Sequence, residues 1–319
     1  TVYIMPEPLL KYCRTVIKAL LSLTIRKYPM ANFGCQSMSL PLKRVLMRTP
    51  KNSLLNADPK QWHYGPTFNG AKALEQYEVF RSLVETCGTE IIYIEDHDDG
   101  LADSMFTHDP SLMSDHGAII LNMGKPLRKS EPALHEKAYV DADIPILGRV
   151  QGDGKIEGGD CIWLDQNTLV VGRGFRSNQV GIDQLNAMLN PYGVNVLGFD
   201  LPVWNGAEAC LHLMSVISPL APKLALIHAP LVPTALYQLM QTMGIELIEA
   251  PNDEFIDSSG LNLNVLPTSP CKCIMIEGFP GTKAAMEAAG CEVKTFIGDA
   301  LCIACEGGPT CLTRPIYRA

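Results

Sequence analysis

Ile182-Asp-Gln-Leu-Asn-Ala-Met-Leu189, then Gly193, then Val194-Asn-Val-Leu-Gly-Phe199 and Asp200, is the stretch whose reading decides the fold. Ile182, Leu185 and Leu189 recur at helical spacing, a glycine stands where a helix C-cap belongs, and an apolar run rich in Val predicts a strand. The same unit recurs outward in both directions. Upstream it reads Ala71–Cys87, Gly88, Glu90–Ile94 and Glu95-Asp96. Downstream it reads Ala235–Met243, Gly244, Ile245–Ile248 and Asp253, and then Lys283–Ala289, Gly290, Cys291–Phe296 and Asp299. The first step between these glycines is about twice the other two, which leaves room for a less regular unit between 117 and 165. Five units of strand–strand–helix–strand type predict an α/β fold with radial repetition, a five-bladed pseudo-symmetric propeller. A doubly wound sheet would share the local rhythm. After each acidic turn a polar, glycine-containing segment follows, at 101–109, 152–160, 205–212, 258–264 and 306–311. In a radial fold these five would meet at one centre.

Composition narrows the function. A hydrophobic content of 47% with 19% charged residues is that of a globular chain able to build a core, and a net charge of -8 argues against a nucleic-acid partner. It is compatible with a small cationic substrate. No apolar run reaches the about 18 residues that a membrane span needs. Eleven cysteines, an odd number scattered along the chain, fit a reducing, cytoplasmic setting better than a disulfide scaffold. Residues 1–29 carry five basic residues against the single acid Glu7, which reads as an N-terminal extension, either an organelle-targeting segment or residues upstream of a start at Met30. The remaining 40–319 reads as a single catalytic domain, with a homodimer left open.

The residues able to carry chemistry fall in the converging segments. Cys311 follows Glu306-Gly-Gly-Pro-Thr, backbone that allows close approach to a thiol. A buried structural cysteine is the alternative. Glu157-Gly-Gly-Asp160 sets two carboxylates around a turn, and Asp103 and Asp109 flank a second acidic segment containing His108. Four carboxylates converging in an apolar site would require a positive guest. His212 lies in an apolar stretch, where it is either a core residue or a proton shuttle for Cys311. Arg128 and Arg176 are candidates for gripping a carboxylate. Cys271, Cys273, Cys302 and Cys305 form a competing zinc reading, in which 271–273 is too tight for the common knuckle.

The ordered motifs Phe106-Thr-His-Asp109, Glu157-Gly-Gly-Asp160, Gly172-Arg-Gly-Phe-Arg-Ser-Asn178, Leu211-His-Leu-Met-Ser215 and Gly307-Gly-Pro-Thr-Cys311-Leu312, spread over roughly residues 42–318, resemble the guanidine-modifying (pentein) superfamily. It contains dimethylarginine dimethylaminohydrolases, arginine deiminases and amidinotransferases, and its fold is the five-bladed α/β propeller. The resemblance implies covalent hydrolysis of a methylated arginine with no metal or organic cofactor. Cys311 would attack the guanidinium carbon, His212 would move protons, and Glu157 would hold the guanidinium with Asp103, Asp109 and Asp160. Arg128 and Arg176 would bind the amino-acid carboxylate. Met214 stands where deiminases carry Asp, whereas Phe-Thr-His-Asp-Pro resembles the deiminase pattern. His108 stands where dimethylarginine hydrolases tend to have Glu, and a charged imidazole there would oppose a guanidinium. Deiminase, amidinotransferase and silent guanidine binder are the alternatives that this site leaves open. A lid over the substrate is expected in the His63–Phe68 region.

Overall fold

A computed structural model describes residues 32–98, 100–207 and 211–319. The extension expected at 1–29 lies outside the described residues. Every element below belongs to one compact unit, Phe33–Ala319, which begins earlier than expected because Gly34 exchanges backbone hydrogen bonds of 2.8 and 3.0 Å with Ile316 and Arg318.

Fifteen strands form five three-stranded sheets among the described residues. Four of them are consecutive in sequence: β3 (Ser111–Ser114), β4 (Gly117–Ile120) and β5 (Ile146–Arg149); β6 (Cys161–Asp165), β7 (Thr168–Arg173) and β8 (Asn195–Asp200); β9 (Ile217–Ala221), β10 (Leu224–Ile227) and β11 (Glu246–Glu249); and β12 (Leu266–Ser269), β13 (Lys272–Ile276) and β14 (Glu292–Phe296). In each, an antiparallel hairpin is followed by a helix that returns the chain to a parallel third strand. The fifth sheet joins β1 (Leu42–Met47) and β2 (Glu90–Tyr93), through the helix Gly70–Thr86, to β15 (Arg314–Arg318), which pairs antiparallel with β1. This is the five-bladed α/β propeller that the repeat predicted.

Local chemistry explains the units. Gly88, Gly193, Gly244 and Gly290 all sit at φ between 69° and 86°, the left-handed conformation that ends a helix without a Cβ penalty. The irregular unit spans 111–149 rather than 117–165, because its helix Glu131–Asp141 is closed by Asp143 at φ 55° instead of by a glycine. The quoted helix forms as Gln179–Leu189 and buries Ile182, Leu185 and Leu189; Asn178 caps it by accepting from Gly181 N at 3.0 Å. The strand that follows is the outer edge of its sheet, and β6 and β7, which the helix–glycine rhythm did not include, are the buried ones. No helix among the described residues is long and apolar enough to cross a membrane.

Candidate active site

Hydrogen bonds link the five polar segments or the residues that directly follow them. Gly158 N donates to Asp109 O at 2.9 Å, Leu213 N to Asp160 Oδ1 at 3.0 Å, Ser218 Oγ to Val265 O at 3.3 Å, Asn264 Nδ2 to Cys311 Sγ at 3.0 Å, and His108 N to Cys311 O at 3.1 Å. Between them lies a cavity of about 60 Å³ into which Cys311, His212, Asp103, Asp109 and Arg176 all face. Trp62 and Phe106 form its apolar wall. A larger cavity of about 430 Å³, bounded by Trp163, Lys223 and Arg318, is lined by none of the residues singled out for chemistry.

Cys311 is fixed by the turn that precedes β15. Asn264 accepts from Thr310 N at 2.9 Å while donating to the sulfur, and a Cβ at Gly308 would collide with the Asn264 side chain. Burial, then the charge of Asp109, pushes the thiol up to about 11, against the opposing pull of Gly308 N, Asn264 and His212. The free thiol is thus protonated at neutral pH.

His212 is held from two sides. Its Nε2 lies 2.9 Å from Glu157 Oε2, and a Cβ at Gly159 would occupy the space of its Nδ1. The second glycine of Glu-Gly-Gly-Asp is therefore required by the imidazole. Glu157 is fully buried and also accepts from Lys125 N at 2.8 Å and from Arg176 Nη1 at 3.1 Å. Burial would raise its pKa, but His212 and Arg176 together hold it below the usual carboxylate value. Asp109 accepts from Gly159 N at 3.0 Å and from Arg128 Nη1 at 2.6 Å, and Arg128, His212 and His108 outweigh burial to hold it well below the usual range.

Asp160, His108 and Arg128 are placed differently from one another. Asp160 does not face the cavity: it accepts from Ser177 Oγ at 2.6 Å and from Leu213 N, so it anchors the His212 turn, and burial pushes it up to about 6. His108 points away from the cavity into the core; its Nδ1 meets Thr313 O at 2.9 Å, and burial drives its pKa down to about 3, so no cationic imidazole opposes a guanidinium. Arg128 borders the cavity, and all three of its nitrogens are engaged by Asp109, Glu131 and Phe106 O at 2.6 to 3.0 Å, so in the free protein it braces Asp109. The zinc alternative is not assembled, since among the described residues no group of three or more His, Cys, Asp or Glu could hold a metal ion.

The carboxylates converge with their counter-charges already in place. Asp109 has Arg128, Glu157 has Arg176, and Asp103 has Lys125, whose Nζ lies 2.5 Å from Asp103 Oδ2. Lys125, Asn264 and Trp62 were not singled out from sequence; Asn264 ends a segment expected to converge, but nothing in the residues around Lys125 marks it. The lid segment is docked: Gly65 N donates to Ala304 O at 2.7 Å and Tyr64 Oη to Asp103 at 2.7 Å.

Residues 90–232 match the family model described as arginine deiminase. The chain is 26% identical to the N(G),N(G)-dimethylarginine dimethylaminohydrolase of Pseudomonas aeruginosa over 79% of its own length and 91% of that protein. It is 29% identical to the enzyme of the same name from Streptomyces coelicolor over 60% of its own length and 70% of that protein. The structure of the P. aeruginosa enzyme in complex with citrulline superposes with a TM-score of 0.70 at 24% identity, covering 86% of this chain and 98% of that one. An amidinotransferase from Microseira wollei superposes with a TM-score of 0.72 at 15% identity, covering 90% and 97%.

Proposed function

We propose, for a chain that belongs to the dimethylarginine dimethylaminohydrolase and amidinotransferase family of the pentein superfamily, that it hydrolyses a methylated arginine through Cys311. The observation that carries this reading is that Cys311 and His212 border one small acid-walled cavity, with Glu157 fixing the imidazole. A guanidinium is planar, permanently charged and rich in N–H donors, which suits Asp103 and Asp109. Its positive charge beside the sulfur lowers the cost of ionising a thiol otherwise held near 11, so the nucleophile is formed mainly when the cation is bound.

The Cys311 thiol gives its proton to His212 as the sulfur adds to the guanidinium carbon, and His212 passes that proton to the departing alkylamine as the C–N bond breaks, leaving an S-alkylthiouronium. Water then adds to that carbon while His212 takes one of its protons; as the C=O bond forms and the C–S bond breaks, the remaining hydroxyl proton passes to the sulfur, citrulline leaves, and His212 returns its proton to solvent. Arg176, at the cavity edge, binds the amino-acid carboxylate. Positioning and fixed charge supply much of the rate. The match to the arginine deiminase model keeps unmethylated arginine as a second candidate substrate.

The test is a mass-spectrometric product assay on asymmetric dimethylarginine, monomethylarginine, arginine and agmatine, with Cys311→Ala as control. Citrulline plus dimethylamine, lost in the variant while the far-ultraviolet spectrum is unchanged, is the expected result. Ammonia from arginine alone would move the reading to the deiminases, a new guanidino compound on adding glycine would move it to the transferases, and turnover retained by Cys311→Ala would overturn the nucleophile.

A further inference from the structure

Asp103 and Asp109, the buried acids that line the cavity, and Glu157 behind them each have an internal counter-ion, so a cationic substrate that engages one of these acids either shares it with a cation of the protein or displaces that cation. The three pairs are not equally displaceable. Arg128 is buried and fixed through all three nitrogens, and Arg176 lies against the fully buried Glu157. Lys125 is different: its ammonium holds one oxygen of Asp103, lies 5.6 Å from the centre of the Trp62 ring, and keeps 18% of its side chain exposed. Its backbone N–H, by contrast, is anchored on Glu157 Oε1. The residue therefore has a fixed root and a flexible four-carbon stem ending in a point charge. The other oxygen of Asp103 accepts from the Tyr64 hydroxyl at 2.7 Å. Lys125 itself lines the cavity of about 60 Å³.

We propose, resting on the function just described, that Lys125 is an exchangeable internal cation: it occupies the cation position at Asp103 beside Trp62 in the free protein and swings out when a guanidinium takes its place. It thereby sets the affinity of the site for a cationic substrate. A cation that takes over Asp103 exchanges one ion pair for another, so the desolvated carboxylate is never left bare. Hydrolysis removes the positive charge, and a neutral urea product leaves Asp103 without a counter-charge for as long as the ammonium stays out. Return of Lys125 then favours product release.

The experiment is calorimetric binding of asymmetric dimethylarginine and arginine to the full chain carrying Cys311→Ser, with Lys125→Met and Lys125→Ala added, each with and without Asp103→Asn. Met keeps the length of the stem and removes the charge, so both Lys125 variants should bind the cations about tenfold or more tightly, the scale of a partly buried ion pair. With Asp103→Asn the gain should vanish, since the competing partner is gone. Unchanged or weaker binding in Lys125→Met overturns the proposal, and a gain confined to Lys125→Ala shows a steric plug instead. If Lys125→Met fails to fold, Lys125→Gln gives the same comparison. Should the Cys311→Ser parent and every variant fail to bind any guanidine, the functional reading itself falls, whereas binding that is indifferent to Lys125 removes this inference alone.

Discussion

His108 is 2% exposed beside Asp109, and its Nε2 has no partner among the described atoms. Its folded pKa of about 3 lies below the ordinary 6.5, so between those values the unfolded chain binds a proton that the folded chain refuses. The stability this neutral imidazole shares in is present above about pH 6.5 and is lost as pH falls toward 3, by about 5 kcal/mol over the whole window. His135 is shifted in the same direction by burial and adds to the slope. We expect the urea midpoint to fall between pH 7 and pH 4, and His108→Leu to lessen that fall; an identical pH slope in the variant would show that His108 is not the source. At this scale the sequence was informative where chemistry coincides with a motif, as at Cys311 and His212. It was silent about direction: nothing in Phe-Thr-His-Asp shows that His108 turns inward while Asp109 faces the cavity, because that depends on which side of a non-repeating turn each side chain leaves. Lys125 was invisible for a related reason, being a lysine in a loop whose partner, Asp103, is remote in sequence.

Between the residues and the whole stand the turns that carry them. Glu157-Gly-Gly-Asp160 read as a flexible acidic turn, yet it is a tightly packed short helical turn whose first acid fixes the ring of His212, whose last acid fixes the following backbone N–H, and whose second glycine leaves space for the ring. Gly159→Ala should therefore displace the imidazole and lower kcat/KM by about 100-fold or more, on the scale of removing a general acid–base, while the thermal midpoint moves little by comparison. Full activity in this variant would mean that the His212 ring position is not needed. Asn178 shows how a functional-looking motif can be structural, since its side chain caps a helix and also accepts from Lys155 N at 3.0 Å. The helix–glycine–strand rhythm was legible because four helix ends need the left-handed conformation that glycine supplies. The fifth unit was misplaced because Asp143 tolerates the same conformation without the same signature.

Across the whole molecule, the site exists because five sheets bring five loops to one point, and the first sheet is completed only by β15, whose Pro315 lies opposite Val45 of β1. Removing residues 314–319 would strip β1 of an antiparallel partner and open its edge between the two cores that Val45 and Leu46 fill from opposite faces. The truncated chain should lose its cooperative thermal transition, by differential scanning calorimetry, rather than merely melt a few degrees lower; a sharp transition near that of the full chain would show that closure is dispensable. Sequence periodicity could reveal the repeat but not this closure, which pairs strands from opposite ends of the chain.

The pairing of β1 with β15 also sets a timetable for synthesis. A chain emerging from the ribosome can assemble its four consecutive hairpin–helix–strand units in turn, each from neighbouring sequence, but β1 and β2 wait for a partner that is made last. Cys311 lies three residues before that closing strand and takes its place against Asn264 and His108 as the strand docks. The placement of the Cys311 thiol thus depends on the pairing of β15, so a chain that stops before that strand carries Asp103, Asp109 and His212 without a positioned thiol beside them.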